Sequence, residues 1–97
     1  MSVQYVKQFN ADAGELSLNF GDKYWKRIPA TGISSIEKSE GTKKVLFISK
    51  PVERIEIHVN GEDKPFIIQE GAVKDDYSWI KDVLKSFAEK YKVSYNE

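Results

Sequence analysis

Lys23-Tyr24-Trp25-Lys26-Arg27 interleaves two aromatic rings with three cations in five consecutive residues. Cations of this kind neutralise phosphate or carboxylate, and an exposed ring can stack a base or cradle a peptide side chain. On a strand, Tyr24, Lys26 and Ile28 share one face while Trp25 and Arg27 share the other, so Trp25 beside Arg27 is the candidate stacking pair. Lys43 and Lys44 would extend the same ligand-binding set if their loop lies at the same end of the molecule. The competing assignment puts Tyr24 and Trp25 in the core, with the cations snorkelling out around them.

Other groupings that could carry chemistry are incomplete. The chain has one histidine, His58, in a segment whose alternate neighbours Arg54 and Glu56 are also charged, and one histidine makes no metal site. Gly32-Ile33-Ser34-Ser35 lacks the second glycine of a nucleophile elbow, and Gly41-Thr42-Lys43-Lys44 lacks the spacing of a phosphate-binding loop. Glu53 and Glu56 differ in strand parity and point to opposite faces, which removes them as a carboxylate pair. The expectation is a protein without catalytic residues, metal or cofactor, and not an enzyme.

Composition narrows the setting. The 97 residues suffice for one domain spanning positions 1 to 97, and the absence of cysteine leaves no disulfide framework and no thiolate chemistry. The longest unbroken apolar run, Val45 to Ile48, is far too short to cross a membrane, and the first residues carry no leader-like run, so a soluble, cytoplasmic protein is expected. Net charge is zero, yet residues 23 to 54 hold eight basic groups against three acidic ones, and residues 55 onward hold six lysines against nine acids. The opposite bias of the two regions allows an anionic partner at the middle strands.

Seven strand-like segments precede one helix. Val3 to Phe9 turns through Asn10 to Gly14 into Glu15 to Phe20, where Leu16, Leu18 and Phe20 alternate with polar residues. Tyr24 to Ile28 and Ile33 to Lys38 follow, separated by Pro29 to Gly32. A turn over Ser39 to Lys43, centred on Gly41, leads to Lys44 to Lys50, whose four successive apolar residues suit a strand covered on both faces. Glu53 to Asn60 alternates Ile55, Ile57 and Val59 with Arg54, Glu56 and His58. A four-residue loop through Asp63 then sets Ile57 opposite Phe66 and Ile55 opposite Ile68. Pro65 marks the strand Phe66 to Gln69 as an edge or a start. From Asp75 to Lys92, apolar Tyr77, Ile80, Leu84, Phe87 and Tyr91 recur at helical spacing, with Val83 and Ala88 widening the stripe. Asp75 and Asp76 sit at the amino end and Lys85, Lys90 and Lys92 toward the carboxyl end, as the helix dipole favours.

The predicted fold is α+β and mostly β: about seven antiparallel strands in a small barrel or strongly bent sheet, closed by one C-terminal amphipathic helix. An open antiparallel sheet packed on one helix is the alternative. This order resembles the pleckstrin-homology superfold. Ala72 to Leu84, in which acidic residues precede a single Trp followed by spaced aliphatics, is similar to the closing helix of that family; Phe66 to Gln69 resembles the strand before it. Ile28 to Ile36 and Val45 to Ile48 resemble its middle strands. The resemblance implies that Trp79 packs on the barrel, and that the protein is a binding module rather than a catalyst. It also implies a peptide groove between the helix, around Val83 and Phe87, and a fifth strand formed by Val45 to Lys50. Lipid-binding members carry several cations around the first hairpin, whereas here Asn10 to Gly14 contains Asp12 and follows only Lys7. The expected function is therefore protein–protein interaction in an adaptor role. The alternative is binding of single-stranded nucleic acid or acidic lipid headgroups through Lys23, Trp25, Lys26, Arg27, Lys43 and Lys44.

Overall fold

The computed structural model describes residues 4–96, the side chain of Val45 excepted. Eight strands and one helix follow in the order β1 (Gln4–Tyr5), β2 (Gln8–Asp12), β3 (Glu15–Asn19), β4 (Trp25–Pro29), β5 (Ile33–Val45), β6 (Ile48–Val59), β7 (Phe66–Gln69), α1 (Tyr77–Tyr91) and β8 (Tyr95–Asn96), with a 3-10 turn at Ala30–Gly32. The fold is α+β and mostly β. Val3, expected in the first strand, lies outside the described residues.

The strands divide between a five-stranded sheet, β1-β7-β6-β5-β8, and a three-stranded antiparallel sheet, β2-β3-β4, and no closed barrel forms among the described residues. Pairing is antiparallel except at the short outer strands β1 with β7 and β5 with β8. The chain changes sheets at Val6-Lys7. The Val6 amide donates to Ile67 O at 2.8 Å and the next amide, of Lys7, donates to Asn19 O at 2.7 Å, so one bent segment belongs to both sheets.

Alternation in β3 and β6 delivers what it predicts. Leu16 and Leu18 from one sheet and Ile55 and Ile57 from the other are fully buried. The β6–β7 register sets Ile57 opposite Phe66 and Ile55 opposite Ile68, as the four-residue loop requires. The helix closes the space between the sheets with Ile80, Leu84, Phe87 and Ala88, one stripe spaced by about a helical turn. Asp76 caps its first turn by accepting from the Ser78 amide, while Asp75 reaches across to accept from the Phe9 amide at 2.7 Å and ties the helix start to β2.

Three expectations fail. Residues 39–43 are not a turn and Lys44 to Lys50 is not a separate covered strand: β5 runs unbroken to Val45, turns at Leu46-Phe47, and β6 runs back through Pro51. Gly41 serves close approach instead of a bend: the Arg54 guanidinium lies over it, and a Cβ there would push that group aside. Pro51 is tolerated because the β6–β7 ladder ends at Arg54↔Gln69, leaving that side of β6 open. The groove expected between the helix and residues 45–50 is consequently absent, since Leu46 through Pro51 are exposed away from the body. Trp79 does not enter the core either: it remains 45% exposed and forms a T-shaped pair with Phe9, ring centroids 5.9 Å apart. It sits one residue before buried Ile80, outside the stripe. The sequence reading also omitted β8, two residues too short to carry a period.

Candidate functional site

Beyond the rung Glu40↔Glu53, where the Glu70 amide still donates to Glu53 O at 3.0 Å, the ladder of β5 and β6 runs on with no third strand beside it. Five rungs, Gly41↔Val52 to Val45↔Ile48, form a two-stranded arm with about 17 Å of ladder. At its tip Leu46 is 89% exposed, Phe47 100% and Ile48 61%. The turn is not an easy one. Leu46 takes φ 58°, a left-handed conformation that glycine or asparagine adopts readily and a bulky aliphatic resists. Behind the tip stand Lys43, Lys44 and Lys50, with no acidic residue between Glu40 and Glu53. Lys43 lies directly opposite Lys50, a like-charge pair that weakens a ladder, and the Lys43 ammonium extends toward Gly71. Lys44, opposite Ser49, falls on the other face, so cations ring both sides of the arm.

The aromatic and basic cluster lies elsewhere. Trp25, opposite Asn19, and Arg27, opposite Ser17, share the outer face of the three-stranded sheet, where Trp25 is 43% exposed and Arg27 Nη1 stands 4.0 Å from Glu15 Oε1. Lys26 turns inward beside Ile28, its ammonium 5.6 Å above the Phe66 ring and 4.0 Å from Glu62. Lys23 and Tyr24 are exposed in the preceding turn. The Phe66↔Ile57 rung and the Lys50↔Lys43 rung are seven residues apart along β6, about 23 Å. The structure thus brings Trp25 and Arg27 together, turns Lys26 away from them, and puts Lys43 and Lys44 at the far end of the hairpin.

Two charged clusters complete the inventory. Glu53, at the base of the arm, receives Lys81 Nζ at 2.9 Å and Lys38 Nζ at 3.5 Å. The hydrogen bond from Lys81 leads in holding the Glu53 carboxyl below its ordinary pKa, against the opposing effect of burial. Tyr77 also faces this carboxylate; burial first, then the hydrogen bond to Glu53 and the Glu53 charge, push its hydroxyl well above the ordinary value. The cluster clamps α1 to the base of the hairpin. On the opposite sheet face, His58 Nε2 bridges two cross-strand carboxylates, Glu37 at 3.1 Å and Glu56 at 3.2 Å. Among the described residues no group of three metal-ligating side chains converges. No helix there is long and apolar enough to cross a membrane.

Comparison with known proteins adds no assignment: no family model matches the chain, and neither the curated proteins nor the solved structures contain a match. Leu46, Phe47 and Ile48 are the residues that sequence reasoning missed. Four apolar residues bracketed by lysines, Lys43-Lys44 before and Lys50 after, were the available signal, and they fit a protruding tip as well as a buried strand.

Proposed function

We propose that the protein is a non-enzymatic recognition module whose docking element is the β5–β6 arm. The observation that carries this is the complete exposure of Phe47 between exposed Leu46 and Ile48 on a segment with no packing duty. Isolated two-stranded ladders are marginal in water, and contiguous exposed apolar surface marks a contact site. The resemblance of residues 66–69 and 72–84 to the end of the pleckstrin-homology superfold supports the same reading, because such scaffolds bind rather than react. A photo-crosslinking side chain at position 47 tests the reading in cells: it should capture one dominant species, protein or lipid, that the same group at exposed Glu89 on α1 does not. Equal background capture at both positions would refute it.

A second reading is favoured by one observation, the half-exposed Trp25 beside Arg27 on an open sheet face. That face is suited to stacking a base of single-stranded nucleic acid, with Arg27 near its phosphate.

A further inference from the structure

We infer that the arm docks on an anionic lipid bilayer, its tip entering the acyl boundary and its lysines meeting acidic headgroups. The inference rests on the arm being the docking element and names the surface it meets. Three features of the arm fit a bilayer together.

The first is the order of chemistry along the arm. Leu46, Phe47 and Ile48 form an apolar end, and Lys44 and Lys50 stand two and three residues behind Leu46 and Phe47. Strand rise puts these cations about 7 to 10 Å behind the tip, comparable with the roughly 5 to 10 Å to which interfacial segments bury their apolar side. The second is charge. The arm carries three cations and no acid, and among the described residues none of the three makes an ion pair. Lys43 and Lys50 share one face of the ladder and Lys44 takes the other, so the arm presents positive charge on both faces, a distribution complementary to a plane of acidic headgroups around it. The third is conformation. A leucine held at φ 58° on a fully solvated turn has no neighbour in the fold that explains it, so local strain coincides with the most exposed apolar surface.

Sedimentation with vesicles tests the inference. The protein should pellet with vesicles of phosphatidylserine mixed with phosphatidylcholine and stay in solution with phosphatidylcholine alone, with binding that weakens as salt rises. Phe47→Asp should reduce partitioning about tenfold or more. Lys43→Gln and Lys50→Gln should each reduce it about fivefold. Leu46→Asn guards against a folding artefact: asparagine accepts the left-handed turn, so thermal stability should hold or rise while partitioning falls about tenfold. In a Phe47→Trp variant, brominated acyl chains should quench the new indole more than they quench Trp25 and Trp79 of the unaltered protein.

Absence of pelleting with anionic vesicles, when position 47 still crosslinks to a protein, would overturn the bilayer and leave the docking arm standing. Absence of both would remove the arm as well. Pelleting that persists undiminished in Leu46→Asn and Phe47→Asp, or equal affinity for single-stranded RNA by the same lysines, would also overturn the inference.

Discussion

Trp79 shows how a residue type can mislead when its neighbours are not consulted. A lone Trp in an amphipathic helix matches a family pattern and suggests a core anchor, yet helical phase assigns burial to Ile80, Leu84 and Phe87 and leaves the indole on the rim against Phe9. Trp79→Ala is expected to cost only about 1 to 2 kcal/mol, from one edge-on aromatic contact and partial burial. Leu84→Ala, fully buried between the sheets, is expected to cost about 2 to 5 kcal/mol. Urea unfolding of the two variants side by side checks the ranking, and a Trp79→Ala loss equal to that of Leu84→Ala would contradict it. Gly41 carries the same lesson. Glycine signals either a turn or a close approach, and only the three-dimensional position of Arg54, thirteen residues away, distinguishes them.

At the level of elements, legibility follows how many residues contribute to one period. The fifteen-residue helix and the β6–β7 register rest on several buried residues each and agree with the sequence pattern. The two-residue strand β8 rests on backbone bonds and leaves almost no trace in it, and the expected strand Val3 to Phe9 gives no sign that it divides into β1 and β2. The β5–β6 hairpin was divided wrongly because Gly41 and Pro51 both imitate strand ends, while its true turn lacks the usual glycine or asparagine. How α1 is held against that hairpin sets a pH response. Glu53 ionises more readily folded than unfolded, so below its ordinary value of 4.5 the unfolded chain binds more protons. The stabilisation is therefore complete above that value and lost as pH falls through the lower folded one. Lys81 and Tyr77 are raised above 10.5 and 10.0, so their share is complete below those values and lost as pH rises through the folded ones. Glu53→Gln should flatten the acid limb of a stability-against-pH curve and also weaken the alkaline dependence. Thermal melts across pH for both proteins measure this, and an unchanged acid limb would show that the clamp does not couple to folding.

For the molecule as a whole, burial and charge are partitioned in the same way. Among the described residues every member of the apolar core lies before Glu37 or after Arg54, so the ladder between them places no side chain in that core, and beyond Glu53 it holds nothing against the helix. The arm's three cations set against a chain of zero net charge leave the remainder acidic, and that segregation has no bearing on packing. A protein shaped only by stability would be expected to close this hairpin early. Replacing residues 42–51 by Asn-Gly does so in register, because Gly41 already pairs with Val52 and a two-residue turn connects such a rung directly. The shortened chain should retain the unfolding free energy within about 1 kcal/mol, since it gives up only an exposed ladder and a strained turn and gains a favourable one. It should also lose adsorption to phosphatidylserine vesicles altogether. Calorimetry and vesicle sedimentation on the same preparation separate the two effects: a large fall in stability would make the arm a structural element, whereas intact folding with no adsorption would make it an appendage kept for contact alone.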